Sequence, residues 1–178
     1  DIGVASESMG GGVILPALEK GPIDAAEWCC PTPNSIFGFQ KVLKHYYLQG
    51  LHQVVVNADI YFNGDVYNSL TAQQKKSIEV AANASLMKAI SYRIIENGKA
   101  LKDLTDNHGV ILHDTPADYF PAYMEAAKAS LEKNAADDAF FAKVWQSQKD
   151  FAAIAVPFWA GAQASNASLG KAFADSVK

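Results

Sequence analysis

The chain has 178 residues, of which 49% are apolar and 19% charged, and its formal net charge is -4 at pH 7. Such a composition can bury enough apolar surface to offset the entropy lost on folding, so it indicates a globular fold rather than disorder. Fourteen of the fifteen basic residues are lysines, and they form no cluster that would neutralise phosphates, so no nucleic-acid partner is expected. No run approaches the ~20 apolar residues that a membrane-spanning helix needs.

The first part of the chain predicts short elements separated by turns. Residues 13–20 have the pattern of a short helix, and the Gly-Pro pair that follows is a typical helix end. Residues 23–28 predict a short strand. Asn34 is of a residue type that caps helices, and the apolar residues after it recur at the spacing of a buried face, so a helix is expected to about Lys44.

Extended chain is predicted between His52 and Phe62, where β-branched and aromatic residues dominate. At roughly 3.3 Å per residue, such a strand could cross from one lobe of a molecule to another. We therefore expect this segment to include a crossing strand that serves as a hinge.

A long helix is predicted from Thr71, because Thr71 and Gln74 have the spacing of a capping box. The helix is expected to end near Asn97 and Gly98. The apolar residues that recur along its buried face are Ile78, Ala82, Leu86, Ile90 and Ile94. Arg93, the one arginine of the chain, lies in phase with that face, and we expect its stem to be packed and its guanidinium to meet water or an acid.

The remaining sequence predicts one short strand and two helices. The strand covers residues 110–113, a Thr-Pro pair at 115–116 opens a helix that runs to about residue 134, and a last helix covers residues 137–157, where a proline ends it. The expected fold is therefore α/β, helix-rich with few short strands. Most of these strands have no sequential partner, which, together with the abrupt start of the chain, predicts a fragment.

Glu27 and Trp28 are the first candidate site residues, because they stand at the end of the predicted strand 23–28. An indole can cover an apolar ligand face, and a carboxylate can bind a cation or a hydroxyl group. The alternative is that Glu27 is solvated and Trp28 belongs to the core.

Cys29 and Cys30 invite a second hypothesis, a thiol- or metal-dependent enzyme that uses one of them with His52. Thiol reactivity requires a neighbouring cation or helix N-terminus that lowers the pKa, and the sequence shows none nearby. Adjacent cysteines also lack the C-x-x-C spacing of redox motifs, so a reduced, buried pair is the simpler interpretation. His108 and His113, the only histidines close in sequence, do not have the spacing of a zinc site.

Residues 15–28 resemble the solute-binding subunit of tripartite ATP-independent periplasmic (TRAP) transporters, in which a P-A-L-x-x-G-x-I-D-x-x-E-W stretch leads into the ligand cleft. The resemblance spans most of the chain. It continues in Gly38-Phe39, Val42, Tyr46-Tyr47, residues 50–53 (Gly-Leu-His-Gln) and residues 62–71.

The resemblance implies the C-terminal part of a two-lobed fold like that of periplasmic binding proteins. Residues 1–30 would be the remainder of the second lobe. Residues 31–178 would supply hinge strands, a crossing helix and C-terminal helices that pack on both lobes. The missing N-terminal lobe would be the chain's partner within the same protein, and the missing polypeptide would carry the arginine with which relatives grip a carboxylate.

The resemblance also implies a function, that of a periplasmic receptor without catalytic activity. It would capture a small organic acid, a 2-oxo acid or another monocarboxylate, and deliver it to the TRAP subunits in the membrane. In the Glu-Trp branch of the family a cation, sodium or calcium, bridges protein and ligand. Glu27 and the backbone carbonyl of Trp28 would be ligands of this cation, while the Trp28 ring and Cys29, with Cys30 beside it, would border the ligand.

His52 and Gln53 are the other candidate substrate-binding residues, because they stand where relatives read G-W-H-E. Gln53 replaces an acid and Leu51 replaces a tryptophan, so the pocket is expected to be less acidic and less aromatic than in relatives. We therefore expect the ligands to include acids bulkier or more apolar than pyruvate. A helical module that binds only protein is the third hypothesis, and it predicts no stabilisation by a small ligand.

Overall fold

The structure, a computed structural model, describes residues 3–49 and 59–177. Two compact units divide the chain, one formed by residues 4–117 and the other mainly by residues from Asp118 onward. The elements of the first unit are α1 (Gly11–Lys20), α2 (Pro31–Phe37), a 3-10 turn (Phe39–Lys41), β1 (His45–Tyr47), α3 (Gly64–Ser69), α4 (Ala72–His108) and β2 (Ile111–His113). The second unit contains α5 (Tyr119–Asp137) and α6 (Ala139–Ser176).

Helix α1 confirms the prediction for residues 13–20 and begins two residues earlier. It ends at Gly21, whose φ of 87° lies in the left-handed region and whose N–H donates to the carbonyl of Ala17. Glycine reaches that conformation without a steric penalty, so the helix end predicted at Gly21 depends on the glycine itself. Ile14 and Leu18, one turn apart on the helix, are buried.

Helix α2 differs from the prediction at both ends. Its N-cap is Cys30 and its first residue is Pro31, because proline already has the φ of the first helical turn and needs no hydrogen-bond partner there. Asn34 lies inside the helix instead of capping it. The helix ends at Gly38, at a φ of 87°, and a single 3-10 turn replaces the expected helix to Lys44.

The sheet of the described chain has two parallel strands, β1 and β2, with His45 opposite Ile111 and Tyr47 opposite His113. The predicted strand at 110–113 is thereby confirmed to within one residue. The predicted strand at 23–28 is wrong, since residues 25–30 have no regular secondary structure. The sheet of the described residues consists of β1 and β2, and residues 25–30 do not add a strand to either of its edges.

The predicted crossing strand at 52–62 lies mostly outside the described residues. Residues 59–63 have no regular secondary structure and lead into α3, which Asn63 caps by accepting a hydrogen bond from the Val66 N–H at 3.1 Å.

Helix α4 begins at the predicted capping box. Gln74 donates its backbone N–H to the Thr71 hydroxyl at 3.2 Å, and the Gln74 side chain accepts from the Thr71 N–H at 2.9 Å. The predicted end at Asn97 is wrong, because the helix continues to His108 and stops at Gly109, where φ is 66°. A glycine inside a helix costs only about 1 kcal/mol, and burial of Leu104 beyond it favours continuation.

The predicted apolar face of α4 is largely exposed. Leu86 is 55% exposed and Ile94 73%. The buried apolar side chains of the described chain lie elsewhere, at Ile14, Leu18, Leu104 and Val110. The periodicity therefore identified the helix correctly, but it did not identify the residues that this structure buries.

The second unit pairs α5 with α6. Helix α5 begins at Tyr119, three residues later than predicted, with Asp118 and not Thr115 at its N-cap. The Thr115 N–H donates to the Gln49 side chain at 2.9 Å. Asp138 caps α6 by accepting from the Phe141 N–H at 2.7 Å, close to the predicted start. The predicted end at Pro157 is wrong, since α6 continues through it to Ser176.

Candidate ligand site

The Glu27–Cys30 segment links α1 to α2 and holds the site residues predicted from the sequence. Glu27 and Cys29 are exposed, whereas Trp28 and Cys30 are partly buried. Exposed and partly buried residues therefore alternate along this segment, although it is not a strand. The packing of the Trp28 ring and the role of Cys30 as N-cap of α2 hold the segment in this conformation.

The Trp28 ring packs against aromatic side chains of the same unit. Its centroid lies 5.1 Å from that of Phe37 in an edge-on arrangement, and 6.4 Å from that of Phe39. The ring also covers Gly11 so closely that a Cβ at that position would stand 2.2 Å from the Trp28 Cη2 atom. Edge-on aromatic pairs are favourable, so Trp28 anchors the segment between α1 and α2.

Four side-chain polar atoms in the described part of the chain are buried without a hydrogen-bond partner, and all belong to Trp28, α2 or the 3-10 turn after it. They are the Trp28 indole N–H, the Thr32 hydroxyl oxygen and the side-chain oxygens of Asn34 and Gln40. Buried polar groups in folded proteins are almost always paired, so these atoms favour contact with water, a ligand or further polypeptide.

The thiols of Cys29 and Cys30 are free and lie 3.0 Å apart, within hydrogen-bonding distance for sulfur. Burial, together with the neighbouring Cys30 thiol, raises the pKa of Cys29 to about 11. At neutral pH the Cys29 side chain is therefore a neutral thiol and a poor nucleophile.

Arg93 acts on this site, which the sequence did not reveal. Its positive charge lowers the pKa of Cys29, but burial and the Cys30 thiol outweigh it. The expectation that neither a cation nor a helix N-terminus lies near the cysteines is therefore wrong, since Cys30 is also the N-cap of α2. Arg93 is exposed on α4, as expected for a rim residue, and its position beside a loop more than sixty residues earlier depends on tertiary packing.

Two long-range hydrogen bonds hold α2 in place beside the segment. The Thr32 N–H donates to the Asn97 side-chain oxygen of α4 at 3.0 Å, and the Asn34 amide donates to the Tyr46 hydroxyl of β1 at 3.2 Å. Burial, reinforced by Cys30, raises the pKa of Tyr46 to about 12, so this hydroxyl remains protonated and polar. Neither bond could be predicted, because its partners are far apart in sequence.

The other predicted site residues, His52 and Gln53 with Leu51 beside them, lie outside the described residues. Within residues 3–49 and 59–177, no three histidine, cysteine, aspartate or glutamate side chains are grouped so that they could hold a metal ion. His108 pairs with Asp103 at 3.2 Å and not with His113.

None of the helices in the described ranges has the length and hydropathy of a membrane span.

Two solved structures share this fold. A TRAP transporter solute-binding protein from Bordetella bronchiseptica RB50, with calcium and picolinate bound, matches 97% of this chain and 51% of its own length, with a TM-score of 0.79 and 22% identity. A TRAP periplasmic solute-binding protein from Colwellia psychrerythraea, with calcium and pyruvate bound, matches 93% of this chain and 50% of its own length, with a TM-score of 0.75 and 27% identity. The chain therefore has the fold of part of a two-lobed TRAP solute-binding protein.

A sequence relative agrees with these structures. The monocarboxylate 2-oxoacid-binding periplasmic protein of Nostoc sp. (strain PCC 7120) is 28% identical over 150 residues, which are 84% of this chain and 41% of the relative. The chain thus spans about half of the length of the two solved structures and 41% of this relative.

The sequence profile of a solute-binding family matches residues 1–138, well over half of the chain. This match confirms the resemblance to TRAP solute-binding subunits that starts at the Pro-Ala-Leu and Glu-Trp motifs. The chain belongs to the bacterial extracellular solute-binding proteins of family 7 (DctP).

Proposed function

We propose that the chain is part of a periplasmic receptor that captures a small organic acid and delivers it to the membrane subunits of a TRAP transporter. The acid is a 2-oxo acid or another monocarboxylate. The observation that carries this proposal is the family match over residues 1–138, in a chain whose relative in Nostoc is a 2-oxoacid-binding protein. Pyruvate in the Colwellia structure supports the same class of ligand.

The proposed architecture is that residues 1–30 complete the second lobe, and that residues 31–178 provide hinge strands, the crossing helix and helices that pack on both lobes. The exposed apolar faces of α4 and α6 support it, because faces of this kind need a covering surface. An N-terminal lobe would supply that surface and the main grip on the carboxylate. Closure of the two lobes would then bury the anion before delivery.

A bridging calcium or sodium ion fits the donor chemistry of the Glu27–Cys30 segment. Glu27 is exposed there, and its carboxylate and the Trp28 carbonyl are oxygen ligands of the kind that hard cations prefer. Calcium needs six to eight such ligands, so the bound acid and residues beyond the described ones would have to complete the shell. The ion would supply positive charge that offsets the acid's negative charge in a closed site.

The remaining site residues keep their predicted roles in this proposal. The Trp28 ring would form part of the cleft surface. Its indole N–H, which has no partner among the described residues, would donate to an oxygen of the bound acid or of an ordered water molecule. Cys29, His52 and Gln53 would line the cleft, and Arg93 would add positive potential at its rim.

The structure weakens the enzyme hypothesis at Cys29. A nucleophilic thiol needs a lowered pKa, whereas burial raises that of Cys29 to about 11. Membership of a solute-binding family also supports a receptor without catalytic activity.

The test is a ligand screen on the full-length protein by thermal shift and calorimetry, with pyruvate, lactate and larger 2-oxo acids, each in calcium and in EDTA. A true ligand present at one hundred times its dissociation constant adds ~2.7 kcal/mol to the free energy of unfolding. We expect Glu27→Gln to abolish the calcium dependence of binding. Glu19→Gln, which changes an exposed carboxylate on α1, should leave it unchanged.

The two parts of the proposal fail separately in this design. If no monocarboxylate stabilises the protein, the receptor function is wrong. If a monocarboxylate binds but Glu27→Gln has the same affinity and calcium dependence as the parent, only the cation site is wrong.

A further inference from the structure

A pair of histidines on the β1–β2 sheet is not explained by organic-acid binding. The Nδ1 atom of His45 lies 2.8 Å from the Nε2 atom of His113, so the two imidazoles share one hydrogen bond. This pair could not be predicted from the sequence, because its members are 68 residues apart. Parallel pairing of the two strands brings them together.

The strand geometry places both rings on one side of the sheet. His45 and Tyr47 are two residues apart on β1 and therefore point to the same face, while Tyr46 between them points to the other, where it meets Asn34. Tyr47 lies opposite His113 and stacks on it, with ring centroids 5.1 Å apart and an interplanar angle of 22°. The stacking restrains the His113 ring, so its Nε2 atom stays directed at His45.

The pair is accessible to solvent. His45 is exposed, and His113 is partly exposed. Each neutral imidazole has one nitrogen lone pair, and tautomers exist in which both facing nitrogens are acceptors. In those tautomers the two lone pairs face each other, and a turn of the rings toward solvent would aim both at one point at the surface.

We propose that His45 and His113 bind a divalent transition-metal ion of the zinc, nickel and copper group through these two nitrogens, with water completing the coordination shell. Imidazole is a ligand that this group of metals favours. Zinc–nitrogen bonds are ~2.0–2.1 Å, so a tetrahedral ion needs the two nitrogens about 3.3 Å apart. Rotation of the exposed His45 side chain away from the line that joins the two nitrogens would widen the observed 2.8 Å to that separation.

The proposed ion differs from the calcium or sodium of the ligand cleft. Hard cations select oxygen ligands, which this pair does not supply. Because the described residues contain no group of three or more potential metal-ligating side chains, the site would be open and water-filled, unlike the four-ligand sites of structural zinc. A site with two protein ligands and bound water suits an exchangeable ion, which would link strand β1 to strand β2.

The experiment is calorimetric titration of zinc chloride into the full-length protein with Cys29→Ser and Cys30→Ser, since the two thiols would otherwise compete for zinc. We expect binding that His45→Gln and His113→Gln each abolish and that His108→Gln leaves unchanged. Calcium chloride should give no binding that depends on His45. Lowering the pH should weaken zinc binding, because protons compete for the imidazole nitrogens.

A second measurement covers the case in which a variant fails to fold. In imidazole nitrogen NMR of the parent protein, zinc should shift the signals of two histidines, and those two should be His45 and His113. Shifts confined to other histidines, or equal zinc affinity in His45→Gln and His113→Gln, would overturn the proposal. Neither result depends on whether the protein binds an organic acid.

Discussion

Helices α2 and α6 show two different ways in which this chain forms a helix. The short helix α2, only seven residues long, makes several tertiary contacts, which include the Trp28 ring and hydrogen bonds to α4 and β1. Helix α6 has 38 residues, yet its large apolar side chains are mostly exposed, with Phe151 at 71% and Ile154 at 79%. The length of these two helices therefore does not indicate how many tertiary contacts their side chains make.

The difference has a physical cause. Helix α2 is too short to be stable alone, because helix nucleation is costly, so its conformation depends on distant residues such as Asn97 and Tyr46. Helix α6 forms its own backbone hydrogen bonds and is rich in alanine, the best helix former, so it needs few tertiary contacts to keep its secondary structure. The surroundings of α2 are therefore where mutations should act most strongly.

The largest difference between the two regions should come from their tryptophans. Trp28→Ala removes a partly buried ring that contacts Phe37 and Phe39, and we expect it to lower the free energy of unfolding by about 2 kcal/mol. Trp159→Ala changes a ring on α6 that is 62% exposed, and it should cost no more than about 0.5 kcal/mol. Urea unfolding measures both. Equal losses would show that α6 is buried to the same degree as the surroundings of α2.

A smaller effect is expected at Gly11, where the Trp28 ring leaves no room for a side chain. The methyl group of Gly11→Ala would stand 2.2 Å from a ring atom, and the resulting displacement should cost about 1–2 kcal/mol. Gly12→Ala is the matched control, because no atom lies within 4 Å of its Cβ, and it should stabilise α1 by up to ~1 kcal/mol.

The same contact can be isolated by combining substitutions. In a Trp28→Ala background, Gly11→Ala should no longer destabilise the protein, since the clashing ring is gone. A persistent loss there would mean that Gly11 is needed for another reason.

The smallest effect concerns alkaline pH. Burial and the Cys30 thiol raise the pKa of Cys29 from 9.0 to about 11, so the folded state holds this proton more tightly than the unfolded state. The stability that Cys29 contributes is therefore complete below pH 9 and is lost as the pH rises through 11. Because Cys29 is exposed, the effect should be small.

Thermal melts of the parent and Cys29→Ser between pH 8 and 11 measure it. The parent should lose more stability across this range than the variant, which lacks the titrating thiol. A remaining decline in the variant near pH 10 to 12 is expected from Tyr46, whose pKa is raised to about 12. Identical pH profiles would contradict the assigned shift at Cys29.

The sequence by itself determined the features whose causes lie within about one helical turn. The capping box of Thr71 and Gln74 and the end of α1 at Gly21 depend on neighbouring residues, and both were predicted correctly. The family was also readable from sequence, because the Pro-Ala-Leu and Glu-Trp motifs are continuous in the chain.

Only the tertiary structure decided which residues far apart in sequence meet. It placed Arg93 near Cys29, joined His45 to His113, and left residues 23–28 without a strand partner. It also carried α4 past Gly98 and α6 past Pro157, where local signals predicted an end. A local pattern sets the preference of a few residues, whereas packing over the whole chain selects among the conformations that those preferences allow.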